Sequence, residues 1–520
     1  MRLHTLTLAA ALALATPLTG HTQTPAASAA EAHVAWQMAT TDADIDRAFA
    51  KGKAEGKPVL IYWGAAWCPP CNHLKSTLFN RADFIERTRH VVPVQIDGDG
   101  PGAQKLGARF KVRGYPTLVL FNAQGTEITR LPGEADAPMV MNLMEIALAG
   151  GRPVAAVLAD ARAGKPISAN EWRLLAYHSW ELEDDDGLLP PAQRAATLAK
   201  LAAAAPQPEV ATRLWLKAVA AGDAGSPAVV ADAAARKRLV AVLDSPSAAR
   251  TQMDVLTNAA ADLVQGVAPK AGAERDAMVK TYDAALVRLQ KDATLSRADR
   301  LTALGARVDL QRLGQPKDTL KPKLPPALVQ EVKTEVARLD REVASGFERQ
   351  AVITSGAYVL AQAGLWADSD ALLKANLDKS HSPYYLMSQL AGNARKQGRN
   401  AEAVDWAAKA YDKSVGPATR LQWGASYVGT LTQAAPQDAK RIEGAASKVL
   451  TEAAGQQGAF FDRNARSLQR ISQQVLAWNT AAKGRHQPVV ERLRSQIAPT
   501  CAKLPAADGQ KAACDGLFKA

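Results

Sequence analysis

Along residues 33–150 the apolar positions change period several times. In Ala43–Glu55 (ADIDRAFAKGKAE) they recur at helical spacing behind Thr41 and Asp42, side chains suited to cap a helix. Pro58–Trp63 is a short unbroken apolar run rich in strand formers, and a helical stretch through Leu74, Leu78 and Phe79 follows it. Val91–Ile96 reads as a second buried strand and Ala103–Phe110 as a short helix. Thr117–Phe121 and Glu127–Leu131 read as strands joined by the turn Asn122–Gly125, and Met139–Ala149 as a helix closed by Gly150 and Gly151. Strands separated by helices, then a hairpin and a helix, predict an α/β layered domain.

After Gly151 the strand signals fade, and from Asn170 to about residue 480 helical patterns alternate with Pro, Gly and Asp/Ser turns. Part of this stretch has a period. Gly364 and Gly398 stand 34 residues apart, as do Pro383 and Pro417, and Ala357, Ala391 and Ala425 repeat that spacing twice. Small residues at Ala391, Ala403 and Ala410 fall where two antiparallel helices need close approach. The segment resembles tetratricopeptide repeats, with two copies and a weaker third from Leu421. The expected organisation is a leader over 1–24, an α/β domain over 33–150, a helical region over 151–345, repeat-like helices over 346–480 and a C-terminal tail over 481–520. A length of 520 residues suits several domains.

Composition is that of a globular protein, 47% hydrophobic and 22% charged. The net charge of +12 is dispersed and interleaved with acids, without a Lys/Arg-rich run, so it argues for a solvated surface and against a nucleic-acid partner. Met1-Arg2 followed by the apolar run Leu6–Leu18 and small residues reads as a secretory signal peptide, because a span needs about 20 apolar residues. No later segment has a long uninterrupted apolar run. These features predict export to an oxidising space, a bacterial periplasm, with no stable membrane insertion. The cysteines fall into two pairs, Cys68/Cys71 and Cys501/Cys514, as such a compartment favours. Cys501 and Cys514 are expected to form a structural disulfide at the C-terminal end. Glu181–Asp186 (ELEDDD) lacks the Gly and spaced oxygens of a calcium loop and reads as a solvated turn.

The pair in Ala66-Trp-Cys-Pro-Pro-Cys71 carries the chemistry. A zinc site needs four ligands, and neither Cys501/Cys514 nor the histidines have the spacing to complete one; His73 alone does not. No metal and no other cofactor is therefore expected. A staple across two residues removes little chain entropy. Thiol–disulfide exchange remains. A strand ending at Trp63, a short link and a helix put Cys68 at a helix N-terminus, where amides and the helix dipole stabilise a thiolate. Cys71, one turn on, is the resolving thiol. The expectation is that the Cys68 sulfur is exposed.

Residues 33–150 resemble a thioredoxin-family domain, through KPVLIYWGAAWCPPC, VQIDGD, KVRGYPTLVLF and the closing helix. VRGYPT is close to the pattern of protein disulfide isomerases, and CNHLKSTLFNRADF is closer to the periplasmic domain of the bacterial membrane-embedded disulfide reductase. The resemblance implies a cis peptide bond before Pro116, with Pro116 against the CPPC and the Tyr115 backbone free to pair with a client strand. It also implies that Trp67 is an apolar rim for the client. Two positions depart from the family: Tyr62 stands where thioredoxins place a buried acid, and Pro93 replaces an accompanying lysine. Pro69 and Pro70 have no N–H to offer Cys68, which predicts a moderately reducing couple.

These observations predict a periplasmic thiol:disulfide oxidoreductase, a reductase of protein disulfides, in which Cys68 attacks and Cys71 resolves. Its partners would be proteins bearing disulfides or thiols and a membrane or soluble thiol donor, with the helical region holding client or partner. The alternative is a helical-repeat scaffold or chaperone carrying an accessory redox-sensing head.

Overall fold

The computed structural model describes residues 33–519 apart from 134–135, 183–186 and 223–228; the expected leader and most of the acidic run lie outside the described residues. The first helix, α1 (Asp42–Glu55), follows a two-residue strand, β1 (Gln37–Met38). It opens on a capping box in which Thr41 Oγ1 accepts from the Asp44 amide and the Asp44 carboxylate accepts from the Thr41 amide. It ends at Gly56, whose φ of 65° suits glycine. Then come β2 (Val59–Gly64), α2 (Pro69–Thr77), α3 (Ala82–Thr88), β3 (Val92–Asp97), α4 (Ala103–Arg109), β4 (Thr117–Phe121), β5 (Glu127–Pro132) and α5 (Ala137–Leu148).

The five strands form one sheet in the order β1-β3-β2-β4-β5. β1, β3 and β2 run parallel, and β4 turns back against both β2 and β5. The central strand β2 is buried along its whole length, as its unbroken apolar run predicts. Its alternate residues serve two cores. Val59, Ile61 and Trp63 pack with Ile45, Val94 and Val119. Leu60 and Tyr62 pack with Leu74, Leu78, Phe84, Leu118 and Leu143. At the hairpin between β4 and β5 the Asn122 carboxamide oxygen accepts from the amides of Gln124 and Thr126, and Gly125 takes a φ of 80°. Two elements carry no pattern of their own: β1 is too short to show alternation, and α3 offers only Phe84 and Ile85 as apolar markers.

From Val154 onward every regular element among the described residues is helical. Pro383–Lys396 packs against Asn400–Lys413, and Pro417–Ala434 against Ala439–Ala454. Ala391, Ala403 and Ala410 are buried in these hairpins, and Gly364 and Gly398 take positive φ at the turns. The end of the chain is a pair of helices, Gln487–Lys503 and Gln510–Asp515, joined by the Cys501–Cys514 disulfide.

The α/β domain does not stand apart. The core on the Leu60/Tyr62 face continues through α5 into Leu174, Trp180, Leu214 and Leu286. Two later helices also close on the domain: Gly346–Gln362 packs on α2, and Asp462–Ala481 on α4.

Candidate redox site

β2 delivers the chain to the end of the sheet at Gly64, and α2 begins five residues later. Cys68 is the N-cap of α2, with Pro69 and Pro70 at its first two positions. Proline there loses nothing, since those amides have no partner within the helix. The Cys68 sulfur accepts from the Cys71 amide at 3.1 Å, and the two cysteines form a disulfide with Cα atoms 5.2 Å apart. The buried Asn72 side chain donates to the Ala66 carbonyl at 2.9 Å and the Cys68 carbonyl at 2.8 Å, tying the link to the helix.

The Tyr115–Pro116 bond is cis. Thr117, next in sequence, pairs with Trp63, so Pro116 and the CPPC lie at the same end of the sheet. Tyr115 packs against the cluster that contains both cysteines. Its hydroxyl lies 3.3 Å from Gln104 Nε2, and burial pushes the phenol up to about 12. Tyr62, at the position of the missing acid, is buried between Trp36 and Phe79. Its hydroxyl has no hydrogen-bond partner, and burial raises its pKa.

The expectation of an exposed Cys68 sulfur is not met. Cys68 is 1% exposed and Cys71 fully buried. The cause is the helical region, which lies directly over the dithiol. Trp67 is also buried rather than an open rim. Its ring stacks on Tyr385 and meets Trp423 edge-on, and its Nε1 donates to Thr419 Oγ1 at 2.6 Å. Thr419 in turn donates from its amide (2.7 Å) and its hydroxyl to Asp99, whose carboxyl burial holds above its ordinary pKa. The Arg463 guanidinium sits between two site residues, 5.2 Å from the Trp67 ring and 4.8 Å from the Tyr115 ring. His381 contacts the Ala66 carbonyl at 2.9 Å, and Gln350 donates to the Trp67 carbonyl at 3.4 Å. His73 faces Ser296 and Asp299 of the helical region. No group of three or more His, Cys, Asp or Glu is placed to hold a metal among the described residues.

Sequence reasoning missed Thr419, Trp423, Tyr385 and Arg463, which carry no motif. Asp99 is the last residue of the VQIDGD motif, with nothing to mark its partner.

The fold and this site define a thioredoxin-like head, and the comparisons agree: residues 45–147 match the family model of a thioredoxin-like domain. The chain is 34% identical over 118 residues to the thiol:disulfide interchange protein DsbD 2 of Pseudomonas aeruginosa, covering 22% of this chain and 20% of that protein. It is 33% identical over 135 residues to DsbD of Cronobacter sakazakii, covering 25% and 23%. The chain therefore spans between a fifth and a quarter of the length of these relatives. Among solved structures it is similar to a putative disulphide-isomerase from Bacteroides thetaiotaomicron, at 24% identity and a TM-score of 0.20 over 23% of this chain and 97% of that one. It is likewise similar to thioredoxin O1 from Arabidopsis thaliana, at 23% identity and a TM-score of 0.19 over 21% and 96%. No helix among the described residues is long and apolar enough to cross a membrane.

Proposed function

We propose that the protein is a thiol:disulfide oxidoreductase that reduces protein disulfides in the periplasm. The observation that carries this reading is the Cys68–Cys71 disulfide at the N-terminus of α2, at the same sheet end as a cis-proline. In the reduced protein the Cys68 thiolate attacks one sulfur of a client disulfide. The client S–S bond breaks, its other sulfur leaves as a thiolate that takes up a proton, and a mixed disulfide forms. Cys71, deprotonated, then attacks Cys68, releasing the second client thiol and leaving the Cys68–Cys71 bond seen here. A donor dithiol returns the two electrons. The cis bond before Pro116 leaves the Tyr115 backbone to pair with the client strand, and Trp67 forms an apolar rim beside it. The DsbD likeness of the head and the leader-like N-terminus support the periplasmic, reducing assignment. The helix pairs spaced by 34 residues support a tetratricopeptide-like partner-holding region.

Turnover of insulin disulfides by the full chain, abolished in Cys68→Ser, is the test. Mixed-disulfide capture with Cys71→Ala names the client. Loss of the second thiol without loss of insulin turnover would remove this mechanism.

The burial of both sulfurs favours a second reading, a redox-sensing head on a helical scaffold. It predicts that Cys68→Ser leaves the phenotype of a deletion unreproduced in cells.

A further inference from the structure

The contacts that the helical region makes around the dithiol come from one direction in sequence. Gln350, His381, Thr419, Arg463 and Arg466 reach the head across 283 to 396 residues of chain. Their targets are specific. His381 and Gln350 take the carbonyls of Ala66 and Trp67, the two residues before Cys68. Arg466 donates to the carbonyls of Val112 and Arg113, in the approach to the cis-proline, at 3.5 and 3.3 Å. Arg463 and Thr419 occupy the Trp67 side chain. The main-chain acceptors and the aromatic wall that an extended client would use beside the disulfide are thus already engaged by the chain itself.

The joint is not fully satisfied. The buried Trp423 indole N–H and the Asn72 carboxamide oxygen have no partner, so each bears a desolvation cost that water would relieve on opening. The half-buried Asp99 carboxylate accepts twice from Thr419. The seam joins these polar groups to the apolar contacts of Trp67, Tyr385 and Trp423, and a seam between parts of one chain that carries unpaired polar groups opens more readily than a fully satisfied core.

We propose that segment 350–466 is an intramolecular cap seated on the client-docking face of the dithiol, so that client and cap compete for one surface and exchange runs only from a cap-lifted state. The proposal rests on the oxidoreductase reading in that it identifies this face as the one clients use. A client's extended backbone replaces His381, Gln350 and Arg466 on the same carbonyls, while the cap's own contacts hold the free enzyme closed.

The test is the alkylation rate of Cys68 in the reduced full chain with a bulky maleimide, read at that residue by mass spectrometry. Thr419→Val removes the hydroxyl that joins Trp67 to Asp99, and His381→Ala removes an exposed contact with little bearing on folding. Each variant is expected to accelerate alkylation about fivefold or more, the equivalent of one net hydrogen bond. The wild type should react far more slowly than the urea-unfolded chain. The proposal is overturned if native wild-type Cys68 reacts as fast as the unfolded chain. It is equally overturned if both variants, folded by circular dichroism, leave the rate unchanged. Insulin turnover separates this from the parent reading. Faster alkylation without turnover keeps the cap and removes the oxidoreductase; turnover with unchanged alkylation does the reverse.

Discussion

Asn72 gives two hydrogen bonds to carbonyls on either side of Trp67 while fully buried, so it fixes the turn that presents the cysteines. Asn72→Ala removes both side-chain bonds, although His381 still reaches the Ala66 carbonyl and the residue 72 amide the Cys68 carbonyl, and a loss of about 1–2 kcal/mol is expected by urea unfolding. An unchanged midpoint would mean that the turn is set elsewhere. Asp136 sets a pH dependence. Burial, with Asp299 adding to it and Arg250 opposing, raises its carboxyl from 3.8 to about 6. Between those values the folded chain holds a proton that the unfolded chain has released, so this group's contribution to stability falls as pH rises from about 4 to about 6. Asp136→Asn should flatten that slope and raise stability above pH 6 by roughly 1–3 kcal/mol, measured by urea titration at several pH values. Single features were legible in the sequence where a motif marked them: the pairing of Cys68 with Cys71 and the cis bond before Pro116. The exposure of Cys68 and Trp67 was not legible, because the side chains that cover them belong to helices whose tertiary placement no local pattern encodes.

At the scale of elements, the N-terminus of α2 sets the redox poise. Cys68 receives one amide, from Cys71, because Pro70 has no N–H to give. Pro70→Ala restores a donor at the second helical position. If that donor gains one hydrogen bond to the thiolate, the couple becomes more oxidising by about 20 mV, the electrical equivalent of roughly 1 kcal/mol for two electrons. Titration against glutathione reads the shift; a more negative value would contradict the account. The unsubstituted couple is expected well below about −120 mV, the value of a strong periplasmic oxidase. Elements with a clear period were readable to within a residue or two, as α1, β2, β4 and the hairpin show. The elements missed, β1 and α3, are held by neighbours: β1 by pairing with Val94 and Gln95, α3 by burial of Phe84 and Ile85.

At the scale of the molecule, one core runs from the sheet through α5 into the helices as far as Leu310. The head and these helices should therefore unfold together, with near-ultraviolet aromatic and far-ultraviolet helical signals lost in one transition. A head signal that outlives the first helical loss would contradict a shared core. The sequence marked a change of class at Gly151 and a repeat near residue 364, but a boundary in pattern is not a boundary in packing. The apolar residues on both sides of Gly151 simply fill one interior. The order of the chain has a consequence for biogenesis. Residues 68 and 71 leave the ribosome some 390 residues before Arg463. At translation rates of about 5–20 residues per second, roughly 20–80 s separate the making of the thiols from the making of their cover. A nascent chain therefore passes through an interval in which its sulfurs exist and the helices that will cover them do not.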